Sequence, residues 1–243
     1  MRMNILVSSF SKLLKAFIPD RCRICGTVVE LDTNLCNDCH NLPSILSPVC
    51  ESCGANVDDC SCKKSKNEYK QIIAPYYYKD SIVKGIHNFK ENDMPFLAKE
   101  YAHDMADCFN QYYSDIKFDF ITFVPARTFK KRVRGFNQSE LLANELSLLL
   151  NIPVQDVLEK ISYSGTQHHK TAKERKADVF ATIDINDKYK SQLADKTVLL
   201  VDDVKTTGAT LNECAKMLKI YDSKAVYALT FAITNRDKKS KNK

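Results

Sequence analysis

Asp202 and Asp203 are adjacent carboxylates placed between an unbroken apolar run, Val198–Val201, and a turn of small and hydroxylated residues, Thr206, Thr207, Gly208, Ala209 and Thr210. A carboxylate pair can accept hydrogen bonds from neighbouring sugar hydroxyls. Leu211, Cys214, Ala215 and Leu218 then recur at helical spacing, which predicts a helix from about Thr210. Backbone N–H groups at such a turn and helix start can hold a phosphate. A buried strand, an acidic pair, a tight turn and a helix N-terminus together describe a site for an anion joined to a diol.

A second chemistry is written in the cysteines, eight of which lie between Cys22 and Cys62. The spacing is Cys22-x2-Cys25, Cys36-x2-Cys39, Cys50-x2-Cys53 and Cys60-x-Cys62. Two thiolates on one tight turn can both reach a tetrahedral ion at roughly 2.3 Å. Taken in order, Cys22, Cys25, Cys36 and Cys39 form one four-thiolate site, and Cys50, Cys53, Cys60 and Cys62 a second. Gly26 and Gly54 follow two of the pairs, where a zinc knuckle accommodates positive φ. A disulfide framework and an iron–sulfur cluster are the rivals. No secretory signal favours the first, and ferredoxin spacing is lacking for the second. The block is therefore read as one or two structural zinc sites, because four thiolates leave no open coordination position. Cys108 and Cys214 fall in helical patterns and are expected to be buried core thiols.

These groups need elements to position them. Ile72–Tyr78, Phe118–Val124, Val198–Val201 and Ala225–Ile233 read as strands, the second stopped by Pro125. Ser81–Phe89, Met94–Tyr113 with Asp93 as its cap, Gln138–Leu150 and Thr210–Ile220 read as helices. Strands alternating with helices predict an α/β fold with a doubly wound parallel sheet, whose ligands bind beyond the carboxyl ends of the strands. Two such ends are chemically unusual, 125–138 and 202–210. Ser162–Phe180 is polar and cationic, as suits a loop closing over an anion or an ordinary solvated surface.

A chain of 243 residues, 44% hydrophobic and 27% charged, suits one α/β domain with a smaller module. No apolar run approaches the ~18 residues of a membrane span. Residues 1–18 carry Met3, Leu6, Val7, Phe10, Leu13, Leu14 and Phe17 at amphipathic-helix spacing, a face for this protein or a partner rather than a membrane. The formal charge of +6 is concentrated in Arg127–Arg134 and in the tail Arg236–Lys243, and the remainder is slightly acidic. The basicity is local to one loop and one tail, which argues against a uniformly basic nucleic-acid coat. The glycine patterns of dinucleotide and ATP phosphate loops are absent, and His168 and His169 lack the spacing of a metal site.

The stretch D-D-V-K-T-T-G-A-T after a buried strand resembles the phosphoribosyl-pyrophosphate motif of type I phosphoribosyltransferases. R-G-F-N-Q-S-E-L-L-A (Arg134–Ala143) after F-V-P-A-R, and K-T-A-K-E-R-K-A-D-V-F (Lys170–Phe180), resemble segments of the ComF competence-protein family. An N-terminal double zinc ribbon is that family's other hallmark, so the resemblance runs from about Phe17 to Asn235. It implies a division into an N-terminal helix (1–18), a double zinc ribbon (19–64), a phosphoribosyltransferase-like domain (65–236) and a basic tail (237–243).

The resemblance also implies roles. Asp202 and Asp203 would hold the ribose hydroxyls and help orient Mg²⁺. Lys205, Thr206, Thr207, Gly208, Ala209 and Thr210 would wrap the 5′-phosphate. Arg127 and Arg134 would face the pyrophosphate, and Lys170, Lys173 and Arg175 would come from a hood above it. Lys205 stands where many members carry an aromatic residue, and V-P-A-R replaces the more usual V-P-hydrophobic-P. A cytoplasmic, Zn- and Mg-dependent phosphoribosyltransferase acting in DNA uptake or nucleotide-linked metabolism is the implied function, with its acceptor open. Single-stranded DNA and a DNA-uptake helicase are the implied partners beside phosphoribosyl pyrophosphate. The alternative is a non-catalytic competence factor that binds DNA or a helicase and keeps the pocket as a sensor.

Overall fold

A computed structural model describes residues 19–62, 67–126, 135–161 and 182–235. Its centre is a five-stranded parallel sheet. Strands β1 (Ile72–Ile73) and β2 (Tyr76–Tyr77) lie end to end along β7 (Ala225–Ile233), which pairs with β6 (Thr197–Lys205), which pairs with β3 (Phe120–Phe123). Strands β4 (Leu158–Lys160) and β5 (Ile183–Ile185) form a separate antiparallel pair. The helices are α1 (Asp80–Glu91), α2 (Leu97–Tyr113), α3 (Gln138–Leu150) and α4 (Ala209–Ile220).

The unbroken apolar run of β6 is explained by cover on both faces. Leu199 and Val201 join a core with α1, α2, α3 and the first cysteine cluster. Val198 and Leu200 join a second core with α4 and the β4–β5 pair. All four are fully buried, each contributing about 1.5–3 kcal/mol relative to exposure. Helices on both faces of a parallel sheet make the fold doubly wound. Cys108 and Cys214 are both buried on helices, as their spacing predicts.

Three boundaries differ from the sequence reading. The expected strand Ile72–Tyr78 is two short strands, because Pro75 has no N–H to give to the ladder. Its carbonyl instead accepts from the Ile45 N–H at 2.9 Å. Asp93 does not cap α2. A turn closed by the Leu97 N–H on the Met94 carbonyl comes first, and Phe96 is the cap. Pro95 accounts for the delay by disfavouring helical geometry at the residue before it. The central strand does not stop at Val201: it runs on to Lys205, held in register by Asp202 opposite Thr230 and Lys205 opposite Ile233. The acidic pair therefore lies within the last turns of a strand rather than beyond it. The N-terminal helix expected over 1–18 and the basic tail lie outside the described residues.

Candidate functional site

The eight N-terminal cysteines fall into the two groups their spacing predicts. Within each group all four sulfurs lie within 4.8 Å of one another. The distances Cys25–Cys36 of 3.6 Å, Cys53–Cys60 of 3.5 Å and Cys50–Cys62 of 3.8 Å are close to the edge of a tetrahedron around zinc, about 3.8 Å. The donor sets therefore fit a structural zinc ion each. The knuckles repeat: the Gly26 N–H donates to the Cys22 carbonyl at 2.8 Å, and the Gly54 N–H to the Cys50 carbonyl at 2.7 Å. Both glycines have positive φ. The shortened Cys60-x-Cys62 pair still delivers two sulfurs to the second group.

Both knuckles are fastened to the α/β domain. Tyr101 donates to the Ile24 carbonyl at 2.6 Å, and Asn88 to the Cys25 carbonyl at 2.6 Å. Arg23 pairs with Asp104, which also accepts from the Tyr76 hydroxyl at 2.9 Å. Gly85 of α1 permits this approach, since a Cβ there would sit 2.3 Å from the Ile24 carbonyl oxygen. On the second knuckle, Tyr69 donates to the Ser52 carbonyl at 3.2 Å and Lys205 to the Cys53 carbonyl at 3.2 Å.

The acidic pair sits where β6, α1 and α3 meet. Asp202 Oδ1 accepts from the Ser139 hydroxyl at 2.8 Å and from the Asp203 N–H at 2.9 Å. Burial, and then the neighbouring Asp203 carboxylate, push the Asp202 carboxyl up to about 7, against the pull of these two donors. Asp203 is buried, and its Oδ2 pairs with the Lys90 ammonium of α1 at 2.5 Å. Its Oδ1 accepts from the Val204 N–H at 2.7 Å. Ser139 is placed by Asn137, the N-cap of α3, whose side chain accepts from the Ser139 N–H and donates to the Val124 carbonyl at the end of β3. The sequence N-Q-S thus ties one strand end to one helix start and aims a hydroxyl at the next strand.

Beyond β6, Thr206–Gly208 turn into α4. Gly208 caps the helix at φ 82°, a left-handed conformation that suits glycine. The first helical bond runs from the Asn212 N–H to the Gly208 carbonyl, and the N–H groups ahead of it are those that a helix leaves without an internal partner. Thr234 steadies the turn, donating to the Thr206 carbonyl at 2.8 Å. Thr206, Thr207, Ala209 and Thr210 are exposed. An exposed, hydroxyl-rich turn at a helix N-terminus therefore follows the two carboxylates along the chain.

The structure brings together Asp202, Asp203 and the 206–210 turn. Lys205 belongs to the same strand, but it is buried and its ammonium reaches the Cys53 carbonyl. Arg127, Arg134, Lys170, Lys173, Arg175, His168 and His169 lie outside the described residues. Lys90 and Ser139 were missed as site residues by sequence reasoning. Ser139 lies inside the stretch Arg134–Ala143, whereas nothing in the spacing of α1 marks Lys90. A cleft of about 750 Å³ opens elsewhere, beside the second cysteine group, with Ser52, Tyr69, Lys70 and Lys219 in its lining.

Comparisons with known proteins agree with both modules. A double zinc ribbon domain matches residues 13–69, and a phosphoribosyl transferase domain matches 137–243. The chain is 27% identical to Competence protein F of Haemophilus influenzae, over 84% of this chain and 92% of that protein. It is 25% identical to Competence protein ComFC of Bacillus subtilis, over 79% of this chain and 80% of that one. It is 26% identical to the DNA utilization protein YhgH of Escherichia coli, over 81% and 83%. With an eight-cysteine double ribbon docked on a parallel-sheet phosphoribosyltransferase-type domain, the chain is similar along most of its length to competence proteins F and ComFC and to the DNA utilization protein YhgH.

Proposed function

We propose that this protein binds phosphoribosyl pyrophosphate together with Mg²⁺, and that it does so in the service of DNA uptake or DNA use. The observation that carries the reading is the sequence of groups along one strand and turn. Two carboxylates, one hydrogen-bonded to Ser139 and one paired with Lys90, lead directly into an exposed threonine turn at a helix N-terminus. Asp202 and Asp203 offer the hard oxygen donors that Mg²⁺ takes and the acceptors that ribose hydroxyls need. Thr206, Thr207 and Thr210 with the backbone from Gly208 onward would take the 5′-phosphate.

Bound Mg²⁺ would neutralise charge on the pyrophosphate. The chain's own residues orient the sugar. Ser139 holds the Asp202 carboxylate in one rotamer, and the β6–β7 register fixes both carboxylates relative to the turn. Arg127, Arg134, Lys173 and Arg175 are proposed for the pyrophosphate, and Lys205 for the wall of the cradle. Displacing pyrophosphate from ribose C1 needs charge stabilisation rather than a covalent nucleophile. The site supplies that for a phosphoribosyltransferase, with the acceptor unnamed.

The two cysteine groups would each hold zinc in a structural role. The printed names of the relatives, competence and DNA utilization, motivate the proposed process and DNA-linked partners such as single-stranded DNA or an uptake helicase. Among the described residues no helix is long and apolar enough to cross a membrane, which accords with a proposed cytoplasmic setting. A thermal-shift series tests the reading. Phosphoribosyl pyrophosphate with Mg²⁺ should raise Tm, since a ligand at about 100 times its Kd adds about 2.7 kcal/mol. Absence of any Mg²⁺-dependent shift at millimolar ligand would sink it.

A further inference from the structure

We propose that Lys90 is the resident cation of the ligand-free site, and that a diphosphate must draw it away before a divalent ion can reach Asp203. This rests on the function proposed above for the acidic pair. Lys90 stands in the last turn of α1 with its ammonium 2.5 Å from Asp203 Oδ2. The two partners are unequal: the Asp203 side chain is 9% exposed and that of Lys90 30%. Asp203 is further held by the Val204 N–H on its other oxygen. Lys90 is a point charge on a flexible four-carbon stem, so the cation is the partner that can move.

The backbone beneath Lys90 is fixed. Phe89 is fully buried, with its ring 5.4 Å from that of Tyr101 and 6.3 Å from that of Phe136. Asn88 is bonded to the Cys25 carbonyl of the first knuckle. Only the lysine stem is therefore free to swing, and its reach is set by the docked cysteine module.

This arrangement makes an order of binding. A free divalent ion would have to compete with an ammonium already in contact with Asp203, and Mg²⁺ sheds its water reluctantly. A ligand with two joined phosphates offers Lys90 several anionic oxygens at once. Lys90 then exchanges Asp203 for the ligand and opens Oδ2 to the ion that the same phosphates carry in. The device selects diphosphate-bearing ligands over sugar monophosphates.

The test uses the zinc-loaded full chain and Mn²⁺ as probe, with free Mn²⁺ read by electron paramagnetic resonance and no phosphoribosyl ligand present. Wild type and Lys90→Arg should bind Mn²⁺ weakly, and Lys90→Met about tenfold more tightly. The gain should vanish in Lys90→Met with Asp203→Asn. Equal Mn²⁺ affinity in wild type and Lys90→Met overturns the proposal, as does a gain that survives loss of the Asp203 charge. In a second arm, Lys90→Met should bind phosphoribosyl pyrophosphate with Mg²⁺ about tenfold more weakly while Lys90→Arg keeps its affinity. Unchanged affinity in Lys90→Met overturns the diphosphate exchange. The Mn²⁺ arm contains no sugar ligand, so a wild type that ignores phosphoribosyl pyrophosphate defeats the proposed function while the metal arm still judges Lys90.

Discussion

Lys205 Nζ donates to the backbone carbonyl of Cys53 across 3.2 Å, so the last residue of the strand carrying the acidic pair is fastened to the second cysteine knuckle. The first knuckle is linked to the same pair by a different path. Asn88 of α1 holds the Cys25 carbonyl, and Lys90, two residues on, holds Asp203. The cysteine module thus borders the candidate site on both sides instead of hanging from the domain as an appendage.

Lys205→Met should therefore loosen the second knuckle without unfolding the sheet. A charge-assisted hydrogen bond contributes about 1.5–3 kcal/mol, so a fall in Tm of several degrees is expected. Limited proteolysis should cut first near the second cysteine group. A variant as stable and as resistant as wild type would show that the bond does not fasten the module.

Zinc content follows from the two four-sulfur groups. Metal analysis of the purified protein should give two zinc ions per chain, and Cys53→Ser should release one of them. Chelation should lower Tm, because the knuckles contribute their backbone bonds to Tyr69, Tyr101 and Asn88 only when folded around metal. A protein that retains its Tm after losing all zinc contradicts the structural role.

Asp202 illustrates a site held at a cost to stability. Its carboxyl is raised to about 7 in the fold, so the folded state binds more protons than the unfolded chain between the ordinary carboxylate range and that value. Its contribution is thus best at acid pH and is lost as pH rises through 7. Asp202→Asn can still accept from Ser139 and from the Asp203 N–H, and should raise Tm by a few degrees at pH 8 but little at pH 4. Equal effects at both pH values would show that ionisation of Asp202 is not what destabilises the fold.

Gly208 is constrained twice, by φ 82° and by a Cβ position 3.1 Å from Lys205 Cε. Gly208→Val should distort the turn proposed to cradle the phosphate, at about 1–3 kcal/mol of backbone strain. Ligand-induced stabilisation should disappear while circular dichroism retains the wild-type signal. Unaltered ligand binding in this variant would place the phosphate elsewhere.

Much of the fold was legible because its signals are local. The run Val198–Val201 announced a strand covered on both faces, and the C-x2-C rhythm announced the two sulfur groups. The turn Thr206–Thr210 and the nearby carboxylates carried the proposed anion-and-diol chemistry in their residue types alone. What stayed hidden was set by tertiary contact. Lys90 reaches Asp203 only because the fold brings the end of α1 close to the end of β6, and Lys205 finds its carbonyl acceptor 152 residues away in sequence. The length of β6 was likewise decided by its neighbour: β7 offers pairing partners as far as Ile233, whereas propensity alone ends the strand at the first aspartate. Asp93 and Pro75 show the same lesson at smaller scale, where a proline overrode an otherwise good cap or strand signal.

Asp202, Asp203 and the turn after them are proposed to hold phosphoribosyl pyrophosphate with Mg²⁺. Titration calorimetry of that ligand into the zinc-loaded protein, with and without Mg²⁺, tests it most directly. Saturable binding to the wild type that requires Mg²⁺ and vanishes in the folded double variant Asp202→Ala, Asp203→Ala is the predicted result. Binding that persists undiminished in the double variant, or no binding by the wild type, would contradict it.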